Sequence, residues 1–183
     1  MFYRVFPAVP GVGTAESGGP LHVPRFDQGG GRHDNPDHYG ALYASRLPVA
    51  PVAERIKDLR ARALTERHLS REGARLSLVA IDDSLLEPLV DLDDPRTLLE
   101  RSLRPSAVAT SIRDVTQPIA LSVYRDGMAG LEWWSTIEAS WINVTLFDDR
   151  VTGRLRVIGD PEPLTLDHPA VREAAEAVGV LLG

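Results

Sequence analysis

Residues 29–32 read Gly-Gly-Gly-Arg. Small residues let a ligand approach the backbone, exposed N–H groups attract anions, and a guanidinium offers forked hydrogen bonds to a phosphate. Gly31 and Arg32, with His33 beside them, are therefore candidates for gripping an anionic ligand. An isolated "GGGR" has a blander reading, a flexible surface loop carrying a solvated arginine. The chain also carries the aromatic hydroxyl of Tyr43, the carboxylate of Glu54 and the aliphatic hydroxyl of Ser135, but nothing local singles them out from others of their kind. A serine without an identified base is a poor nucleophile, so Ser135 suits positioning better than attack. Glu54 taken alone is an ordinary solvated helix glutamate.

Other constellations fail on spacing. "GVGTAE" at 11–16 begins like a dinucleotide fingerprint, but Glu16 stands at the third glycine position and no helical pattern follows. There is no Walker A sequence, and the five histidines form no zinc pattern. The aspartates between 82 and 95 lack the ligand spacing and turn glycine of a calcium loop. No metal site is expected. The absence of cysteine excludes disulfides, thiolate ligands and a thiol nucleophile.

The elements that must position these residues follow from periodicity. "FYRVF" alternates as a first strand, and the Gly- and Pro-rich stretch after it is a loop. "GALYAS" is a short strand. Val52, Ile56, Leu59 and Ala63 fall at helical spacing, which predicts a helix over Val52–Ala63. "ARLSLVAI" reads as a strand, and the acidic stretch from Asp82 to Pro95 as a solvated connection. Pro118 fits the first turn of a helix running to about Asp126 and stopped by Gly127. "AGLEWWS", "WINVTLF" and "RLRVIG" are strand candidates, with Trp133 and Trp134 on opposite faces in an order left open. Asp167 caps a last helix whose stripe is Val171, Ala174, Val178 and Leu181.

The result is an α+β chain with no βαβ alternation and no repeat, and its 183 residues suit one domain. At 43% hydrophobic and 25% charged it has a globular composition. A net charge of −6 argues against direct nucleic-acid binding, which needs clustered Lys and Arg. Arg4 and Pro7 interrupt the N-terminal apolar run, and no stretch reaches the roughly 18 apolar residues of a membrane span. A cytoplasmic protein without membrane association is expected.

Read together, "GGGRHDNP", "ALYAS", "PVAE", "GLEWWS" and "INVTLF" resemble the RES-domain family, named for its Arg, Glu and Ser. The matching positions are Arg32, Tyr43, Glu54 and Ser135, closed by Asn143, Leu146 and Phe147. The pattern covers about residues 2–147, leaving a C-terminal strand and docking helix over about 151–182. Two positions depart from it: His33 stands where the family usually has Trp, and "TIEAS" replaces a basic residue after the serine.

The resemblance implies a compact, mixed and mostly antiparallel β core flanked by helices, related to the ADP-ribosyltransferase and diphtheria-toxin folds. It also implies an activity: degradation of NAD at the nicotinamide–ribose bond by phosphorolysis or hydrolysis, in a toxin neutralised by a helix-turn-helix (Xre-type) antitoxin. NAD is then the substrate, inorganic phosphate an optional co-substrate, and no cofactor is required. Glu54 would stabilise the ribosyl cation, Arg32 would hold pyrophosphate or phosphate, Tyr43 would pack on a base and orient a ribose, and Ser135 would position substrate. Transfer of ADP-ribose to a protein and a catalytically silent binding module are the alternatives. The sequence is also compatible with a homo-oligomer.

Overall fold

The computed structural model describes residues 1–183. Ten strands are β1 Phe2–Pro7, β2 Ala41–Ser45, β3 Ala63–Leu64, β4 Ser70–Arg71, β5 Ala74–Asp82, β6 Val90–Asp91, β7 Gly130–Trp134, β8 Ile142–Phe147, β9 Arg156–Pro163 and β10 Leu181–Leu182. Six helices are α1 Val49–Ile56, α2 Pro95–Glu100, α3 Pro105–Ala109, α4 Arg113–Arg125, α5 Asp148–Val151 and α6 Pro169–Val178. Eight strands form one sheet in the order β4-β5-β1-β2-β8-β7-β6, with β9 also pairing to β5. Every pair in it is antiparallel except β6–β7. The mixed, mostly antiparallel α+β architecture expected from the sequence is present.

Strand alternation gives the sheet two different faces. One carries Phe2, Phe6, Leu42, Ala44, Val79, Ile81, Val144 and Leu146, closed by Leu21, Val23, Val151 and Leu155. The other is divided between two helical layers. Over β1 and β5, α1 and α6 bury Val49, Val52, Ala53, Ile56, Val171, Ala174 and Val178 against Val5, Leu76 and Leu78. Over β7 and β8, α4 buries Ile119, Ala120 and Val123 against Leu131, Trp133 and Phe147. Between these layers the same face is polar: Tyr43 pairs with Thr145, and Ser45 with Asn143, across β2 and β8.

Several boundaries differ from expectation. The apolar stripe of α1 begins at Val49, and the helix passes at Lys57–Leu59 into a 3-10 turn. Ala63 is not on its stripe, because Ala61 turns the chain with φ of 61° and Ala63–Leu64 pairs in parallel with β10. Pro118 lies inside α4 and not in its first turn. Thr116, one turn into the helix, is buried under residues 29–32, which extends the helix back to Arg113. Pro118 and Asp114, whose carbonyl loses its helical partner there, are both exposed, so water can satisfy that oxygen. The acidic connection is not fully solvated, since Val90 and Leu92 are buried and β6 pairs with β7. His168, not Asp167, caps α6, accepting from the Ala170 N–H at 3.2 Å. Gly179, at φ of 77°, ends α6, so Leu181 leaves the stripe exposed and Val180 is buried instead. The last long strand runs over 156–163, later than "RLRVIG".

Candidate active site

The glycine segment is fastened from both sides. Asp34, buried behind it, accepts from the Gly29 N–H at 2.9 Å and the Gly31 N–H at 2.5 Å, and its second oxygen accepts from the Tyr43 hydroxyl at 2.7 Å. The Tyr43 oxygen in turn accepts from the His33 N–H at 2.9 Å. From α4, Thr116 donates to the Arg32 carbonyl, and Gln117 donates to the carbonyls of Gly29 and Gly31. This corrects the expectation of free anion-attracting amides, because the Gly29 and Gly31 N–H groups are already taken by a carboxylate. Gly31 matters for room: a Cβ there would lie 2.5 Å from the Tyr43 oxygen and 2.6 Å from Asp34 Oδ1.

This frame aims the Arg32 side chain across the polar face. One guanidinium nitrogen donates to the Val108 carbonyl at 3.0 Å and to the Thr110 carbonyl at the end of α3. The guanidinium lies 4.6 Å from the Trp133 ring centroid. No protein acceptor meets its Nε and second terminal nitrogen, and every fully buried side-chain polar atom has a partner. That edge of the fork therefore faces solvent. Burial lowers the Arg32 pKa, opposed by the fields of Glu54 and Tyr43, so Arg32 and the Glu54 carboxylate lie within electrostatic reach of each other.

Glu54 projects from α1 onto the other half of the polar belt. Its Oε1 is approached by the Ser135 hydroxyl at 3.4 Å and the Asn143 amide at 3.5 Å, and Asn143 is held by the Ser45 hydroxyl at 2.6 Å. Its Oε2 accepts from Lys57 at 2.7 Å. Ser135, at 2% exposure, also accepts from the Ile137 N–H at 3.1 Å. No histidine approaches its hydroxyl, so it braces the carboxylate.

His33 points away from this opening. It is 2% exposed, stacks edge-on against Trp133 at 5.2 Å, and shares a 2.8 Å hydrogen bond between Nδ1 and Thr145. Burial, aided by Arg32, lowers its pKa to about 3. The ring is therefore neutral and part of the packing. Of the two tryptophans, Trp133 is the one beneath the site. Burial and the adjacent Asp34 raise the Tyr43 pKa well above its ordinary value, so its hydroxyl stays protonated.

The structure thus gathers Arg32, Tyr43, Glu54, Ser135 and Asn143 on one sheet face, while Leu146 and Phe147 belong to core clusters on opposite faces of β8. Sequence reasoning missed Asp34, Thr116, Gln117 and Lys57. Asp34 had no turn signal, since an Asx turn accepts from an N–H two residues further on, whereas Asp34 reaches back to Gly31 and Gly29. The two α4 residues had none either. No three His, Asp or Glu side chains come together as a metal site, and no helix is long and apolar enough to cross a membrane.

A family model described as the RES domain matches residues 2–167, from β1 through β9 and beyond the Phe147 at which the motif pattern ends. No curated protein matches the chain. Among solved structures, a chain in the crystal structure of the M. tuberculosis MbcT–MbcA toxin–antitoxin complex has a similar fold, with a TM-score of 0.67 and 20% sequence identity. The alignment covers 98% of this chain and 88% of that one.

Proposed function

The chain belongs to the RES-domain family, and on that premise we propose that it is a toxin-like enzyme that degrades NAD by breaking the nicotinamide–ribose bond. The observation that carries this reading is the pairing of two opposite charges on one polar sheet face. Arg32 presents a free guanidinium edge, and Glu54 presents a carboxylate braced by Ser135 and Asn143.

NAD bears a pyrophosphate at its centre and a cationic ring at one end, and the two charges suit those two groups. The open edge of Arg32 offers a forked contact to the pyrophosphate, while Val108, Thr110 and Trp133 hold the guanidinium plane in place. As the bond to nicotinamide lengthens, positive charge grows on the ribose, and a fixed carboxylate stabilises it more than it stabilises the ground state. Glu54 takes this role. Nicotinamide leaves as a neutral ring carrying the bonding electron pair, so its departure requires no general acid. Tyr43, whose hydroxyl is spent on Asp34 and His33, contributes its partly buried ring and the shape of the loop.

We place residues 1–183 in one domain related to the ADP-ribosyltransferase fold, acting in the cytoplasm. The partner is a helix-turn-helix antitoxin that covers the Arg32–Glu54 opening; the toxin–antitoxin complex of similar fold supports an antitoxin partner as such. The test is incubation of the purified chain with NAD, with and without phosphate, beside Glu54→Ala. Nicotinamide release by the parent and not by the variant is expected. Its absence from both, together with growth inhibition that Glu54→Ala leaves unchanged, sinks the proposal.

A further inference from the structure

One charged side chain at the site is left without a task. Lys57, one turn after Glu54 on the same helical face, donates to Oε2 at 2.7 Å and remains 44% exposed. The other oxygen of Glu54 is turned toward Ser135 and Asn143 on the sheet. Oε2 is therefore the oxygen not committed to the sheet, and a lysine stands on it. The lysine also lines an open hollow of about 380 Å³, which it shares with Asp58, Arg60, Thr136 and Ile137 and with Ala177 and Val178 of α6, and which Glu54 itself does not line.

A cation is the wrong charge to assist the departure of nicotinamide, because the ring's positive charge passes to the ribose carbon and stays beside Glu54. It is the right charge for an anionic acceptor. A phosphate dianion entering beside Glu54 meets a like charge, with Asp58 adding a second, unless a cation lies between them. Lysine suits that task, since its ammonium is a compact charge on a flexible stem that can leave the carboxylate and follow the anion.

We infer that Lys57 selects inorganic phosphate over water as the acceptor, holding it in the hollow beside Thr136 while Glu54 steadies the ribosyl cation. This rests on the NAD-cleaving reading above. In the step, the bond from the ribose C1 to the nicotinamide nitrogen breaks and its electron pair stays with nicotinamide. An oxygen of HPO₄²⁻ forms the new C1–O bond, and the remaining phosphate proton stays on the ester or passes to solvent. With water as acceptor, a proton must instead be taken up by Glu54 or by solvent.

The experiment measures nicotinamide release by the full chain across a phosphate series, with mass spectrometry separating ADP-ribose phosphate from ADP-ribose. Parent, Lys57→Met and Lys57→Arg are compared. Losing one charge-assisted contact predicts that Lys57→Met raises the KM for phosphate about tenfold or more. Its product shifts toward ADP-ribose, its loss of rate is larger with phosphate than without, and Lys57→Arg keeps the phosphorylated product. Equal losses with and without phosphate, or an unchanged KM for phosphate, overturn the assignment. A parent whose release is indifferent to phosphate overturns it while leaving NAD cleavage intact. A parent that releases no nicotinamide overturns both.

Discussion

The Asp34 carboxylate accepts from the Tyr43 hydroxyl at 2.7 Å while its other oxygen gathers the N–H groups of Gly29 and Gly31. One buried side chain thus ties the glycine segment to strand β2 and sets the line along which Arg32 projects. Asp34→Ala leaves three donors without their acceptor, a loss of about 2–4 kcal/mol in unfolding free energy. Urea denaturation measures it. Tyr43→Phe, which removes one of these bonds and leaves the ring, is expected to lose less.

Gly30 and Gly31 are neighbours with opposite tolerance. A methyl group on Gly31 collides with the Tyr43 and Asp34 oxygens, whereas one on Gly30 meets nothing within 4 Å. Gly31→Ala is expected to cost about 1–3 kcal/mol and weaken NAD binding in calorimetry. Gly30→Ala should do neither. Equal behaviour of the two variants would mean that the loop is not held as described.

Glu54→Gln keeps the shape of the side chain but removes its charge. Nicotinamide release is expected to fall about 10²–10³-fold, the range typical of lost transition-state electrostatics. Ser135→Ala leaves the charge and removes one brace, so its loss should be smaller and fall on kcat more than on KM. Arg32→Lys retains a cation without the fork, and its loss should appear mainly in KM.

The folded protein keeps His33 neutral down to about pH 3, whereas in the unfolded chain it takes a proton near 6.5. Between those values the unfolded state binds more protons, so the contribution of His33 to stability is present above 6.5 and lost as the pH falls toward 3. The greatest slope from one such group is about 1.4 kcal/mol per pH unit. In thermal unfolding from pH 7 to pH 4, His33→Phe should be less acid-sensitive than the parent. A parallel pH profile would refute this account.

What was legible in the sequence divides by the range of the force involved. The β2, β7 and β8 strands and the apolar stripe from Val52 to Ile56 were readable because burial imposes a period on a local stretch. Arg32 and Glu54 became candidates together only through a pattern spread over the chain. The bounds that failed were set by tertiary contacts: Thr116 under the glycine loop extends α4 past Pro118, and β10 draws Ala63 away from α1. The spacing of Lys57 three residues after Glu54 is that of an ordinary helical ion pair, and only the placement of Glu54 over β8 makes that pair part of a site. His33 was read as a possible ligand contact because it follows Arg32. The β-sheet beneath it turns it into a packed ring.

The two braces of Glu54 come from β8 and from the end of β7, late in the chain, while Arg32 and Glu54 themselves are made early. On the ribosome, the charged pair therefore exists for much of synthesis without the strands that hold it in register. Harm to the host, on the proposed function, begins only after Phe147 has emerged and the sheet has closed. On the same proposed function, that delay would give an antitoxin time to meet the site as it forms.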